Sequence, residues 1–224
     1  MAWFHCWLKE DQIKNLEKVI ADAEKNTSGE IVPVIVRRSS VIGHVPLTVA
    51  LLLMLIFFIL DLPHQISNWV FYTQDGFLGQ WGAEVILVLL SLLALAIGRA
   101  LAPRMWVQRL LVPKSDQAFQ AEERAIIEFS QNRIRETEGS TGILIFLSLM
   151  ERHAVVLGDK AISEKLGPEV WNQLLAQLIH RLKENQLEKG LAEAITECGK
   201  ILSQHFPKAA DDKNELVNQL IIKE

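Results

Sequence analysis

The sequence predicts a small three-layer α/β/α sandwich that is interrupted by two transmembrane helices. Two long apolar segments, at about residues 43–62 and 83–102, have the length of membrane spans. One helix and one strand are predicted before them, and a helix, two strands and further helices after them. A single helix and strand bury too little apolar surface to fold alone. We therefore expect residues 8–38 and 115–207 to form one discontinuous domain, with helices on both faces of its sheet.

Composition limits the classes of function that need to be considered. The net charge of the 224 residues is only −4, which gives no electrostatic basis for binding nucleic acid. Cys6 and Cys198 lie far apart and without CxxC spacing, which argues against a disulfide scaffold or zinc site and fits a reducing compartment. The first residues lack the basic region and apolar core of a signal peptide, so we expect the first span to target the protein.

The two apolar segments predict a transmembrane hairpin at residues 41–103. The first, Val45 to Leu60, contains no charged residue, and the second, Ala83 to Ala102, has Glu84 and Arg99 near its ends. Roughly 20 apolar residues cross a hydrocarbon core. The alternative is a buried helical hairpin of a soluble protein, but such a helix carries a polar stripe, which both segments lack.

The flanks of the segments predict their orientation. The connection at residues 61–84 contains no Lys or Arg, whereas basic residues precede the first segment and follow the second. The positive-inside rule then places both termini in the cytoplasm and the connection outside, in a two-span protein of the inner (plasma) membrane. Aromatic and basic residues are expected to anchor the interfaces: Arg37, Arg38, Trp69, Tyr72, Trp81, Arg99, Arg104 and Trp106.

Before the hairpin, the spacing of apolar residues predicts a helix over Lys9–Asn26 and a strand over Glu30–Arg37. Pro33 lacks an N–H donor, so it suggests that this strand lies at an edge or carries a bulge. After the hairpin, a helix is predicted from Ser115 to about Thr137. Its predicted inward residues are Phe119, Ile126, Phe129 and Ile134.

The remaining elements follow in order. Residues 143–150 are almost continuously apolar, which is typical of a strand covered on both faces. A tight turn and a second strand over 153–157 complete a predicted hairpin. Two further helices follow Gly167-Pro168, and Pro207 ends the second. Residues 208–224 are polar with a weak helical patch, and we expect a loosely held C-terminal tail.

Several turn and strand motifs occur in a defined order along the domain. They are Thr27-Ser28-Gly29-Glu30-Ile31, Thr141-Gly142-Ile143-Leu144-Ile145, Ser148-Leu149, Glu151-Arg152, Gly158-Asp159, Trp171 and His205-Phe206-Pro207. In these motifs the chain resembles the TPM domain family, and more closely its bacterial branch in which a membrane hairpin interrupts the domain. The resemblance implies an α/β sandwich. It also implies an association with LemA-type membrane proteins, which bacterial members often accompany. The resemblance further suggests phosphatase activity as an alternative, because that activity has been proposed for photosystem II repair factors with this domain.

The standard catalytic signatures are missing from the sequence. It has no HExxH, GxSxG, P-loop or Gly-rich dinucleotide motif, and Gln204 stands where a Cys-x5-Arg phosphatase loop from Cys198 would need arginine. The six histidines lack the spacing of metal ligands. We therefore predict no catalytic residue and no cofactor, with a divalent cation as the one exception considered.

Four polar residues at the ends of elements are candidates for binding a ligand, a metal or a partner: Glu30, Glu151, Arg152 and Asp159. The position of Asp159 favours a role as the N-cap of the next helical turn, although a carboxylate that directly follows a strand can also bind a metal. Glu151 and Arg152 are typical of a solvated hairpin tip. Glu30 could cap, pair with a basic residue, or join Asp159 if the strands align. Cys198 lies on an apolar stripe, which indicates a buried, inert thiol.

These patterns favour a membrane-anchored interaction or scaffold module that faces the cytoplasm and has no activity of its own. Its expected partners are the lipid bilayer and another integral membrane protein, LemA-type by the resemblance, or a second copy. The alternative is a metal-assisted phosphatase or other hydrolase, by analogy with the family. Transport is disfavoured because the apolar segments carry no ionisable residue at their centres.

Overall fold

The protein is described by a computed structural model that covers residues 8–39, 43–71, 77–137, 139–209, 211 and 214–223. The chain separates into two compact units. Residues 1–40 and 115–224 form the first unit, and residues 41–114 form the second. The first unit is therefore built from two segments that are distant in sequence.

A four-stranded mixed sheet lies at the centre of the first unit. Its strands are β1 (Glu30–Val36), β2 (Gly142–Ser148), β3 (His153–Gly158) and β4 (Ile221–Lys223), in the order β3-β2-β1-β4. β1 is parallel to both β2 and β4, and β2 and β3 form an antiparallel hairpin. The three strands expected from the sequence are confirmed.

Helices pack on both faces of this sheet. They are α1 (Glu10–Glu24), α6 (Lys114–Gln131), α7 (Lys160–Lys165), α8 (Asn172–Lys183) and α9 (Leu187–His205). Apolar residues of α1, α7, α8 and α9 share one core with Ile31 and Ile143, while α6 shares the other with Val32 and Leu144. Successive strand residues point to opposite faces, so the central strands are apolar from Ile31 to Val36 and from Ile143 to Leu147. The predicted mixed α/β fold is confirmed.

The predicted inward face of α6 is confirmed in part: Phe129, and Ile134 in the 3-10 turn that follows the helix, are buried in the core as expected. Phe119 and Ile126 were expected inward, but their exposed fractions are 61% and 55%. Ala121 and Ala125 face the sheet instead, each fully buried in the core that contains Phe146. The small alanine side chains allow the helix to lie close to a sheet face that already carries a large aromatic ring.

β1 is a central strand, so the expectation that Pro33 marks an edge is wrong. The N–H of Glu30 points towards β2, where it donates to the Thr141 carbonyl at 3.2 Å, and the N–H of Ile31 points the other way, to Glu24. By alternation, the nitrogen of Pro33 also faces away from β2. β4 pairs only with Val34 to Val36. The N–H group that Pro33 lacks would therefore lie just before the hydrogen bonds between β1 and β4 begin.

The C-terminal segment adds the fourth strand, so the expectation of a loosely held tail is wrong for residues 221–223. Ile221 pairs with Val34, and the Arg37 N–H donates to the Lys223 carbonyl at 3.2 Å. Leu216 and Leu220, the predicted helical patch, lie outside helices in the described residues, and Leu220 is buried in the core. Three residues are too short a run for an alternating strand pattern to be visible in the sequence.

The second unit contains four helices among its described residues. They are α2 (Val45–Ile59), α3 (Leu62–Phe71), α4 (Phe77–Leu101) and α5 (Met105–Leu111). α2 packs closely on α4, because a Cβ atom at Gly98 would lie 2.4 Å from the carbonyl oxygen of Pro46. Ala50 and Ala94 are also buried. Small residues on the second apolar segment thus serve close packing of the pair.

Most of the predicted connection at residues 61–84 is helical, and the first apolar segment is broken. α2 has 15 residues, a length of roughly 22 Å, against a hydrocarbon core of about 30 Å. Asp61 takes a left-handed conformation (φ 50°), and Pro63 then lies in the first turn of α3, where its missing N–H is tolerated. The helices bend by 60° at this break.

One helix among the described residues is long and apolar enough to cross a membrane by itself, over Trp81–Leu101. The bent pair Val45–Ile59 and Leu62–Trp69 reaches the required length only when its two helices are taken together. The sequence predicts two spans of about 20 residues each, at about 43–62 and 83–102. The difference arises at Asp61 and Pro63, which end one helix and begin the next.

Candidate functional site

The four candidate residues lie at opposite ends of the sheet. Glu30 begins β1, and Asp159 directly follows β3 at the same end, where its N–H donates to the Gly142 carbonyl at 2.8 Å. Glu151 and Arg152 form the turn between β2 and β3 at the other end. The length of β2, about 20 Å, separates the two pairs. The structure therefore defines two small polar sites rather than one constellation.

Glu30 binds the C-terminal segment. Its side chain is only 6% exposed, and its two carboxylate oxygens accept the N–H groups of Glu215 at 3.0 Å and Leu216 at 3.4 Å. Hydrogen bonds from N–H groups to an ionised carboxylate are among the stronger ones in proteins. Glu30 thus holds the chain where it turns into β4.

Asp159 occupies the N-cap of α7. Its Oδ1 accepts the Lys160 N–H at 2.8 Å, while Oδ2 is buried and accepts no hydrogen bond from the described residues. An unsatisfied buried carboxylate oxygen costs free energy. This oxygen is the one feature of the site that a cation or an external donor could use.

Glu30 and Asp159 do not form a joint site. Gly142 lies between them in the sheet, paired with Glu30 in the register and bonded to the Asp159 N–H. Ile134, in a 3-10 turn, covers that glycine: a Cβ atom there would lie 2.4 Å from the Ile134 carbonyl oxygen. The backbone and side chain of Ile134 therefore occupy the space in which a shared ligand would have to bind.

At the other end of the sheet, Glu151 ties the β2–β3 turn to the end of β1. Its carboxylate accepts hydrogen bonds from the Ser148 hydroxyl and, at 3.1 Å, from the Ser39 N–H. Arg152 is exposed and takes a left-handed conformation (φ 50°). The turn was expected to be a solvated tip, and this description fits Arg152 better than Glu151.

Glu24 is a buried acid that the sequence analysis did not single out. It is 7% exposed, and its Oε1 accepts the Ile31 N–H at 2.6 Å. Burial raises the pKa of this carboxyl to about 8; the hydrogen bond from Ile31 opposes that shift and the charge of Glu30 adds to it. Its position near the polar end of the predicted first helix gave no signal of burial.

Glu128 is a second buried acid, and it is not among the residues of α6 that the sequence predicts to face inward. It is fully buried, and its carboxylate lies 2.8 Å from Arg124 and 2.5 Å from the Lys223 ammonium, with the Asn132 amide at 3.1 Å. It stands seven residues after Ala121, on the small-residue face of α6. The spacing from Ala121 places Glu128 on the buried face of α6. The sequence indicates this burial only once Ala121 is known to face inward.

The chemical capacity of these groups is small. Among the described residues, no group of three His, Cys, Asp or Glu side chains lies close enough to bind a metal. Cys198 is fully buried, and burial, with a contribution from Glu24, raises the pKa of its thiol. The predicted buried thiol is confirmed.

Among the described interface candidates, the tryptophans, Arg99 and Arg104 are exposed, whereas Arg37 and Arg38 are half-buried. The exposed fractions of Trp69, Trp81 and Trp106 are 85%, 46% and 64%. Arg99 is in the last turn of α4, and Arg104 precedes α5. Arg37 and Arg38 follow β1 in the first unit, and Tyr72 lies outside the described residues.

The fold and these sites define an α/β sandwich protein with an inserted apolar helical unit. The model of the TPM domain matches residues 106–201, and the predicted resemblance to that family is confirmed over these residues. The BA42 protein of the psychrophilic bacterium Bizionia argentinensis, known from an NMR structure, has a similar fold, with a TM-score of 0.59, 19% identity and 99% of each chain covered. At that identity the likeness concerns the fold alone. No curated protein matches the chain.

Proposed function

We propose that this protein is a membrane-anchored interaction module of the inner membrane. In this proposal α4 crosses the bilayer, and α2 with α3 forms a second, bent span. The TPM domain and both termini are cytoplasmic. The domain assembles with another integral membrane protein, of the LemA type by family association, and performs no chemistry itself.

The exposed apolar surface of α4 is the observation that carries membrane attachment. Seven leucine and valine residues along it have exposed fractions between 38% and 59%: Val85, Leu87, Val88, Leu89, Leu92, Leu93 and Leu95. Soluble monomers rarely expose a contiguous apolar patch of more than a few hundred Å². Each such residue favours the bilayer centre by roughly 0.3–0.6 kcal/mol, so lipid is the natural environment of this helix.

The bent pair can complete a hairpin because its apolar residues are also exposed. Phe58 and Ile59, at the end of α2, have exposed fractions of 77% and 70%. A bent helix pair that packs on a straight span satisfies its backbone groups within each helix. Trp69 and Trp81, near the connection, then lie where aromatic residues meet the outer interface.

The internal hydrogen bonds of the candidate residues support an interaction role over catalysis. Glu30 and Glu151 hold backbone segments, and Asp159 caps a helix. An anchor inserted inside a domain restricts its orientation more than a terminal tether would. That restriction favours docking on a membrane-bound partner at high effective concentration.

Gentle extraction from native membranes, followed by sizing and mass analysis, tests the assembly. We expect the protein in the membrane fraction after an alkaline wash, and a second integral membrane protein in stoichiometric amount after extraction. Release by the alkaline wash would refute the anchor. An anchored chain that is recovered without any second protein would refute the assembly.

A metal-assisted hydrolase is the second candidate, and the Asp159 Oδ2 atom favours it, since that buried oxygen accepts no hydrogen bond from the described residues. Titration calorimetry of the whole protein with Ca²⁺, Mg²⁺ and Mn²⁺ tests it. Stoichiometric binding that is lost in Asp159→Asn, together with hydrolysis of phosphate esters, would replace the interaction module by an enzyme.

A further inference from the structure

The outer side of β3 is an open sheet edge. β3 is the first strand in the order β3-β2-β1-β4, and it pairs with β2 alone among the described residues. Because the Asp159 N–H donates to Gly142, alternation directs the backbone groups of His153, Val155 and Leu157 towards β2. The N–H and C=O groups of the alternate residues, Ala154, Val156 and Gly158, therefore point outward, away from β2.

Three residues present these outward groups: Ala154, Val156 and Gly158. The Gly158 carbonyl accepts the Ser163 hydroxyl at 2.8 Å, and its second lone pair can accept another donor. The groups of Ala154 and Val156 have no hydrogen-bond partner in the part of the chain that the structure describes. The edge can therefore accept a further strand along its length.

β3 lacks the devices that protect sheet edges from pairing. Natural edge strands carry lysine or proline, contain a bulge, or are very short. β3 has six residues, His-Ala-Val-Val-Leu-Gly, in uninterrupted register with β2. The opposite edge strand, β4, has three residues and ends in Lys223. Of the two edge strands in the described sheet, β3 is therefore the one more open to pairing.

We propose that β3 pairs with β3 of a second copy, antiparallel and centred on Val156. The outward residues lie symmetrically about Val156, so a two-fold axis there places Val156 opposite itself and Ala154 opposite the partner's Gly158. All three outward residues then pair, with about six hydrogen bonds, two for each facing pair. An axis at Ala154 or Gly158 would leave outward groups of each copy without a facing strand residue.

Side-chain chemistry supports the same register. His153 lies opposite the partner's Asp159, whose Oδ2 is buried and accepts no hydrogen bond from the described residues. An imidazole N–H is a suitable donor for that oxygen. Val155 lies opposite the partner's Leu157, and both are half-buried. Such apolar pairs stabilise antiparallel strands.

An apolar groove beside the strand extends the contact. It lies between α8 and the start of β3, has a volume of about 440 Å³, and is also bordered by His153, His180 and Lys183. Ala154, Leu175, Ala176 and Ile179 line it. Because Ala154 and Val156 point to this face of the sheet, the groove lies next to the proposed axis and gives a second copy an apolar surface beyond the strands.

Register-specific crosslinking tests the pairing in the full-length protein in native membranes. Val156→Cys and His153→Cys are compared in a Cys6→Ser background, with the buried Cys198 retained. The two copies of residue 156 have Cα atoms about 5.5 Å apart, whereas those of residue 153 are roughly 20 Å apart along the strands. A short bis-maleimide should yield dimer from Val156→Cys only. No dimer from Val156→Cys, or equal dimer from both variants, would overturn the proposal.

A matched pair of edge substitutions gives an independent measurement. Val156→Lys charges β3, and Ile222→Lys makes the same change in the half-buried middle of β4. Native mass analysis in detergent should show dimer for the wild type and Ile222→Lys, and at least tenfold less dimer for Val156→Lys. Circular dichroism checks that each variant is folded. A monomeric wild type, a dimer that survives Val156→Lys, or a different protein crosslinked at position 156 would each refute self-pairing.

Discussion

Glu24 makes the stability of the domain depend on pH in an unusual direction. The pKa of its carboxyl rises from 4.5 to about 8 on folding, mainly because of burial. Between these values the folded chain binds a proton that the unfolded chain has released. Stability is therefore fully present below the unfolded pKa and is lost as pH rises through about 8.

The magnitude follows from the two pKa values. One pKa unit corresponds to about 1.4 kcal/mol, and the linkage relation gives a loss of roughly 2.5 kcal/mol in unfolding free energy between pH 6 and pH 9. Glu24→Gln keeps an oxygen for the Ile31 N–H but cannot ionise. We expect the variant to lack this loss and to be more stable than the wild type at pH 9.

Pulse proteolysis in urea measures the unfolding free energy of the domain within the whole protein. Asp22→Asn is the matched control, because Asp22 is on the same helix with a side chain 67% exposed. Its pH dependence should equal that of the wild type. If the wild type and Glu24→Gln lose the same stability between pH 6 and pH 9, the argument from burial is wrong.

Three further predictions concern single contacts. Lys223→Met removes a partner from the buried Glu128 carboxylate, so the unfolding free energy measured by pulse proteolysis should fall by about 1–3 kcal/mol. An unchanged unfolding free energy would mean that this contact does not hold β4. Gly98→Val places a Cβ atom 2.4 Å from a backbone oxygen of α2, so the variant should have a lower melting temperature in detergent. Ala96→Val, at an exposed position of the same helix, should leave the melting temperature unchanged. Equal melting temperatures of the two variants would refute the close packing. Asp159→Ala should cost about 0.5–2 kcal/mol and Asp159→Asn much less, with equal losses contradicting the N-cap.

Elements with strong periodicity could be predicted from the sequence. Leu174, Leu175, Leu178 and Leu182 of α8 recur at helical spacing, and β2 is a short apolar run between turn residues, whose length favours a strand. Their positions and the β2–β3 turn at Glu151-Arg152 agree with the structure. Local pattern suffices where burial repeats over several turns or over a whole strand.

Features that depend on distant partners could not be predicted. The inward face of α6 is set by Phe146 in a strand, and the burial of Glu128 depends on Lys223, which is 95 residues away. β4 has too few residues to show alternation and exists because β1 offers it a parallel edge. The candidate site was predicted in part, since Asp159 and Glu30 share one end of the sheet while Ile134 keeps them apart.

The central claim is that an apolar unit anchors a cytoplasmic TPM domain in the membrane, and labelling of single cysteines in intact cells tests it most directly. Asn68→Cys, at an exposed position of α3, is compared with Lys189→Cys, at an exposed position of α9, in a Cys6→Ser background with Cys198 buried. An impermeant maleimide should label Asn68→Cys in intact cells and Lys189→Cys only after the membrane is permeabilised. Labelling of Lys189→Cys in intact cells, with Asn68→Cys protected, would contradict the account.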